Sequence, residues 1–185
     1  MRALILIDYT YDFVAPDGKL TAGKPAQDID ENIAVAMEKT LIEEGCIFVV
    51  NDLHIEKDTE HPETLLFPAH NLKGSKGRLV YGKTGEVLKK YEKCVDSQIF
   101  EMDKFRYSAF VGTSLDVLLR QKNIGDIELA GVCTDICILH TAISAYNLGY
   151  NVTVNSGCVA SFNAQGHQFA LEHFKTALGF TVKEN

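Results

Sequence analysis

The chain has 185 residues, of which 46% are hydrophobic and 23% are charged, and its formal net charge is −7. These values are typical of one globular domain that can bury a core without disulfide bonds. The acidic balance, with no long run of lysine or arginine, argues against a nucleic-acid-binding protein.

The cysteines and the apolar runs indicate the cellular compartment of the protein. The cysteine count is odd and the spacing fits no disulfide framework, so we expect reduced thiols, at Cys46, Cys94, Cys133, Cys137 and Cys158. The first apolar run, residues 3–7, meets Asp8 too early for a signal peptide. No run approaches the ~20 apolar residues of a membrane helix. We therefore expect a cytoplasmic, soluble protein without a membrane partner.

Strand patterns alternate with helix patterns along the chain. Short apolar runs predict strands at residues 3–7, 46–50, 98–105, 126–130, 151–155 and 180–182. Apolar periodicity predicts helices between them, including one that Asp28 would cap with Glu31 at the capping-box position. A turn is expected at residues 156–158, after the fifth strand. The alternation predicts a single α/β domain over residues 1–185, with a doubly wound, mostly parallel sheet flanked by helices.

Polar residues follow several of the predicted strands. Asp8, Asp52 and Lys104 lie at strand ends, and Cys137 lies in the first turn of the helix after residues 126–130. Ligands of open α/β sheets bind at the carboxyl edge, where these side chains would meet. A cysteine at a helix N-terminus tends toward a lowered pKa and a reactive thiolate. Taken alone, a buried helix cysteine is more often inert.

A second group of residues has the character of metal ligands. Asp52 and His54 are two apart on an extended segment, which directs both side chains to one face. His70 and Glu63 follow on a long aperiodic stretch, and His61 is an alternative to Glu63. Carboxylate and imidazole suit Zn²⁺, Fe²⁺ or Mn²⁺. The spacing alone does not distinguish a metal site from a capped turn.

Several segments together resemble the nicotinamidases of the isochorismatase-like cysteine hydrolase superfamily. The most specific is Gly-Val-Cys-Thr-Asp-Ile-Cys at residues 131–137, and the others are residues 5–8 with 12 and 13, 52–54, 67–70 and 104–110. The Asp-x-His pair with a later histidine separates nicotinamidases from metal-free relatives. The chain departs from the family at Phe67, where many nicotinamidases have tryptophan.

The resemblance implies a catalytic triad of Cys137, Asp8 and Lys104. Asp8 would take the thiol proton, and Lys104 would favour both anions. The backbone N–H groups of Cys133 and Cys137 would form the oxyanion hole. The family also implies a cis peptide bond between Val132 and Cys133.

The resemblance further implies one divalent metal ion, for which we expect zinc, with iron or manganese as alternatives. Asp52, His54 and His70 would bind it, with Glu63 as fourth ligand directly or through a water molecule, and the metal would orient the pyridine ring of nicotinamide. The expected substrate contacts are Phe13, Phe67, Tyr107, Val132 and Cys133. A homo-oligomer is also expected.

Three functions remain open from the sequence. The first is a metal-dependent nicotinamidase of NAD salvage, which would also accept pyrazinamide. The second is a metal-free isochorismatase-like or ureide-type amidohydrolase, in which Asp52 and His54 would be structural. The third is a scaffold without activity, which the triad argues against because charged groups are costly to hold inside a sheet. No role follows for residues 82–95.

Overall fold

The computed structural model describes residues 1–91 and 98–184. Its centre is a six-stranded sheet in the order β3-β2-β1-β4-β5-β6, and every paired strand is parallel. The strands are β1 (Arg2–Ile7), β2 (Cys46–Asp52), β3 (Ile99–Lys104), β4 (Asp126–Val132), β5 (Asn151–Ala160) and β6 (Thr181–Lys183). The predicted α/β fold is thus confirmed, with a wholly parallel sheet.

Helices connect the strands. They are α1 (Tyr11–Val14), α2 (Lys24–Asp28), α3 (Asp30–Ile42), α4 (Gly82–Tyr91), α5 (Leu115–Gln121), α6 (Leu139–Leu148) and α7 (Ala164–Thr176). Two short 3₁₀ turns, Pro62–Leu65 and Lys76–Arg78, lie between β2 and α4, and a π-helical turn, Thr134–Ile138, precedes α6. Within the described ranges, no helix is long and apolar enough to cross a bilayer.

The central strand β1 separates two hydrophobic cores. Ala3, Ile5 and Ile7 contribute to one core, and Leu4 and Leu6 contribute to the other. Because alternate side chains of a strand point to opposite faces, a continuous apolar run is what a strand covered on both faces needs.

The sheet collects the predicted site residues at its carboxyl edge. β1 leads directly into Asp8, β2 ends at Asp52, and β3 ends at Lys104, which pairs in register with Asp52. On the other side of β1, Gly131 of β4 pairs with Ile7. The strand order reverses between β1 and β4, so this edge is the switch point at which α/β folds bind ligands.

The predicted helix cap at Asp28 is wrong. Asp28 ends α2 and pairs with Lys24, while the next helix begins at Asp30. The Asp30 carboxylate accepts hydrogen bonds from the N–H groups of Lys83 and Thr84, at 2.8 and 3.1 Å. Glu31 pairs with the Lys83 side chain instead of completing a capping box. These acidic residues therefore bind α4, a long-range contact that local spacing could not indicate.

The predicted turn at residues 156–158 is also wrong, because β5 continues to Ala160. Its register with β4 shifts between the pairs Leu129–Val154 and Gly131–Val159. Ser156 and Gly157 therefore mark an irregularity within β5 rather than the end of the strand.

The thiols of Cys46, Cys133, Cys137 and Cys158 are free and buried, as expected. Cys46 and Cys158 belong to the two cores. Cys94, and with it part of the segment 82–95, lies outside the described residues.

Gly131 is expected to be required for the close approach of β1 and β4. Its φ is +116°, and a Cβ there would lie 2.0 Å from the Ile7 carbonyl oxygen. Gly131→Ala should lower the free energy of unfolding by about 3 kcal/mol in urea denaturation. Gly125→Ala is the matched control, because no atom lies within 4 Å of its added Cβ. Equal stability of the two variants would contradict this account.

Candidate active site

Lys104 is the central charge of the site. Its side chain is fully buried, and its Nζ lies 2.7 Å from Asp8 Oδ2, in hydrogen-bonding contact with Asp52 Oδ1, and 3.7 Å from Cys137 Sγ. A buried ammonium is tolerated only when it is paired. Burial alone would lower the pKa of Lys104, but Asp8, Cys137 and Asp52 outweigh it and raise the pKa well above its usual value. Lys104 is therefore a permanent cation.

The two carboxylates beside Lys104 have different protonation behaviour. Burial and the charge of Asp52 raise the pKa of Asp8 to about 6, although Lys104 opposes them. Burial also disfavours the Asp52 anion, but Lys104 and His54 outweigh it and lower its pKa to about 2. Asp52 is thus fixed as an anion, whereas Asp8 can exchange a proton near neutral pH.

Asp8 is held tightly in its position. Its backbone adopts a φ of +55°, and its N–H donates to the Val50 carbonyl at 3.2 Å. Its Oδ1 accepts a hydrogen bond from the Asp52 N–H at 2.8 Å. The side chain is therefore fixed between the ends of β1 and β2, with its other oxygen on Lys104.

The Cys137 thiol is protonated in the resting site, so the expected low pKa is wrong. Complete burial raises its pKa well above the usual value; Lys104 acts in the opposite direction, but Asp8 and Asp52 add to the increase. The thiol consequently needs a base, and Asp8 is the neighbouring group that can serve.

The backbone at Cys133 fits the expected oxyanion hole. The peptide bond between Val132 and Cys133 is cis, which confirms that prediction. Among the described residues, no acceptor is found for the Cys133 N–H, while its carbonyl accepts from Ile136 and Ile138 at 3.1 and 3.2 Å. Burial also raises the pKa of the Cys133 thiol, to about 12.

A cavity of ≈ 300 Å³ connects the thiol with the second predicted group. All five expected substrate contacts line it, together with Asp52, Glu63 and Cys137. Four other residues line the cavity and were not predicted. Ile136 belongs to the motif at residues 131–137 but was given no role, whereas Leu20, Thr21 and Phe162 lie elsewhere in the chain and carry no motif. A small aromatic molecule fits such a largely apolar pocket with polar groups at its ends.

Asp52, His54, Glu63 and His70 converge in what we call the donor cluster. One ligand atom of each lies within 4.8 Å of the others. His54 Nε2 is 3.9 Å from Asp52 Oδ2, and His70 Nε2 is 3.8 Å from Glu63 Oε2. Three of these atoms are buried and have no hydrogen-bond partner in the described part of the chain: Asp52 Oδ2, His54 Nε2 and His70 Nε2. Such a group of unpartnered donors fits a divalent metal ion.

The surroundings of the donor cluster also fit a metal. His70 Nδ1 contacts the Pro68 carbonyl at 2.8 Å, which leaves Nε2 as the free lone pair. Burial lowers the pKa of His70, so its imidazole is neutral, as a ligand must be. Burial and the charge of Asp52 raise the pKa of Glu63 to about 7. A cation bound beside Glu63 would lower this pKa again, because it favours the carboxylate form.

His61 is not available as the fourth ligand. Its Nε2 contacts the Phe105 carbonyl at 2.9 Å, and its Nδ1 accepts the Glu63 N–H at 3.3 Å. Both ring nitrogens are therefore engaged, and Glu63 is the residue whose carboxylate joins the other three donors.

The isochorismatase domain model matches residues 2–183, and the chain belongs to this family of hydrolases. A crystal structure of a pyrazinamidase/nicotinamidase from Streptococcus mutans is 53% identical, with a TM-score of 0.95 over 98% of this chain and 99% of that one. The isochorismatase family protein PncA of Bacillus subtilis is 48% identical over 99% of both chains. A probable inactive nicotinamidase of Arabidopsis thaliana is 30% identical over 89% of this chain and 83% of its own.

Removal of Lys104 should be costly for stability. Lys104→Met leaves Asp8 and Asp52 buried together without a cation, which typically costs about 3–5 kcal/mol. We expect that loss in urea denaturation at neutral pH, whereas the exposed control Lys39→Met should change stability by less than about 0.5 kcal/mol. A Lys104 variant as stable as the control would show that the ion cluster is not what we describe.

Proposed function

We propose that the protein is a metal-dependent nicotinamidase, which hydrolyses nicotinamide to nicotinate and ammonia through a thioester on Cys137. The observation that carries the proposal is the cavity whose wall contains Cys137 together with Asp52 and Glu63, two members of the donor cluster. The similarity to the pyrazinamidase/nicotinamidase of Streptococcus mutans supports the choice of substrate.

The first half of the reaction forms the thioester. Cys137 Sγ attacks the carboxamide carbon while its proton passes to Asp8, whose pKa of about 6 suits a base at neutral pH. Lys104 remains charged and stabilises the developing thiolate. The N–H groups of Cys133 and Cys137 would donate to the oxyanion of the tetrahedral intermediate.

The two products leave in succession, ammonia when the thioester forms and nicotinate when the thioester is hydrolysed. Asp8, now protonated, donates its proton to the departing nitrogen, and ammonia leaves as the thioester forms. Asp8 then accepts a proton from the water that attacks the thioester carbonyl. The acid product leaves and gives its remaining proton to the solvent to become nicotinate, and Asp8 returns the other proton to the Cys137 thiolate. One carboxyl group thus serves as base and acid in alternation, which its intermediate pKa permits.

Asp52, His54, Glu63 and His70 would hold the metal, for which we expect zinc, since iron and manganese accept the same donors. When bound, the ion would supply Lewis acidity toward the ring nitrogen of the substrate. Phe13 and Phe67, which line the cavity, would flank the ring and exclude water.

The same chemistry predicts activity on pyrazinamide, which presents a similar ring carboxamide. We expect the enzyme to act in NAD salvage, in the cytoplasm. A homo-oligomer stays a prediction.

The other two functions that the sequence leaves open, a metal-free amidohydrolase and a scaffold without activity, fit the site less well. A metal-free amidohydrolase would leave the unpartnered atoms of Asp52, His54 and His70 without a purpose. A scaffold such as an inactive homologue would have no need for a buried lysine between two carboxylates. The metal-dependent hydrolase accounts for both features.

Ammonia release from nicotinamide tests the proposal. We expect release by the purified protein, loss of at least about 10-fold on chelation, and recovery when Zn²⁺ is added back. His54→Ala should not recover under the same addition, because it lacks one donor. Release that ignores the chelator would refute the metal role, and no release from fully loaded protein would refute the substrate.

A further inference from the structure

His61 lies against the donor cluster without belonging to it. Its side chain is buried, and its ring meets that of His54 edge-on, with 4.5 Å between the ring centroids. Between residues 55 and 70, the structure buries only His61, Glu63 and His70, while most of their neighbours are exposed. Because a buried polar ring needs hydrogen-bond partners, the contacts of the His61 ring indicate why it is buried in an otherwise exposed segment.

The two contacts of the His61 ring determine its tautomer. The Phe105 carbonyl can only accept a hydrogen bond, so Nε2 carries the proton. The Glu63 N–H can only donate, so Nδ1 supplies the lone pair. A neutral imidazole in this state has no lone pair left for a metal ion.

These contacts join separate segments of the chain. Phe105 follows the last residue of β3, whereas Glu63 belongs to the 3₁₀ turn Pro62–Leu65, whose first N–H groups His61 caps. The backbone of His61 is fixed as well, because its N–H donates to Asp58 Oδ1 at 3.2 Å and its carbonyl accepts from Thr64 at 3.1 Å. The ring is thus a bridge from the rigid sheet to the turn.

Hydrogen bonds rather than core packing hold the turn: the Thr64 hydroxyl donates to the Asp58 carbonyl at 2.7 Å, and the Glu63 carbonyl accepts from the N–H groups that follow it in the chain, at 2.9 and 3.0 Å. Leu65 and Leu66, which follow Glu63, are 90% and 65% exposed, so core packing does not fix the orientation of the turn. The position of the Glu63 carboxylate in the donor cluster therefore depends on local hydrogen bonds, and the one from the Glu63 N–H to the His61 ring connects the turn, through Phe105, to the end of β3.

We propose that His61 is a positioning residue of the metal centre, which holds Glu63 at the ion without binding the ion itself. The inference rests on the proposed metal site and extends it to a residue outside the donor set. Mutation of a group that hydrogen-bonds to a metal ligand and orients it typically lowers metal affinity about 10–100-fold. We expect an effect of the same size for His61.

The test is a Zn²⁺ titration of the metal-free protein against a chromophoric chelator, without substrate. His61→Phe retains the ring that contacts His54 but removes both hydrogen bonds, and it should raise the Kd for Zn²⁺ by about 10–100-fold. His61→Asn can still accept the Glu63 N–H, as asparagine does at helix caps, and should recover most of the affinity. His173→Phe, on α7, is the control and should bind as the wild type does.

A double-mutant cycle separates positioning from ligation. If His61 acts through Glu63, His61→Phe should change the Kd by less than about 3-fold in a Glu63→Gln background. Effects that multiply in the double variant, or a wild-type Kd in His61→Phe, would overturn the proposal. If His61→Phe does not fold, His61→Gln replaces it with the same expectation, since glutamine can reach Phe105 but no longer caps the turn.

The result is distinguishable from a failure of the proposed function. Wild-type protein that binds Zn²⁺ but releases no ammonia from nicotinamide would refute the substrate and leave the role of His61 intact. Wild-type protein that binds no Zn²⁺ would overturn the metal site and this inference together.

Discussion

The contact on which the site depends is the buried ion pairing of Lys104 with Asp8 and Asp52. One cation lies between two carboxylates from neighbouring strand ends, and the thiol of Cys137 is the fourth member of the group. Burial makes each of these charges costly alone, so the cluster is stable only when complete. The parallel order of β3, β2, β1 and β4 brings the four together.

The same cluster gives the carboxyl groups of Asp52 and Asp8 different pKa values and therefore different roles. Asp52 carries a firm negative charge, since Lys104 and His54 hold its pKa low, and it offers its free oxygen to the donor cluster. Asp8 has a pKa of about 6, which suits proton exchange with Cys137. Lys104 therefore contacts both Asp52, a member of the donor cluster, and Cys137, the proposed nucleophile. The proposed role of His61 would add the position of Glu63 to this network.

The sequence predicts more of the site than of its local geometry. Asp8, Lys104 and Cys137 follow from strand ends and from motifs, because a parallel sheet collects such positions at one edge. The protonated thiol was not predictable, since burial and the neighbouring carboxylates determine it rather than the position in the helix. Asp30 was missed for a similar reason: its partners lie more than fifty residues away, on α4.

The most direct test of the account is the detection of the acyl-enzyme. Protein mixed with nicotinamide, quenched in acid within milliseconds and measured by intact-protein mass spectrometry should gain the mass of one nicotinoyl group. Peptide mapping should locate that group on Cys137, and Cys137→Ala should show none, while Cys158→Ala should behave as the wild type does. Rapid hydrolysis of nicotinamide with no adduct at any quench time, or with full activity in Cys137→Ala, would contradict the thioester mechanism.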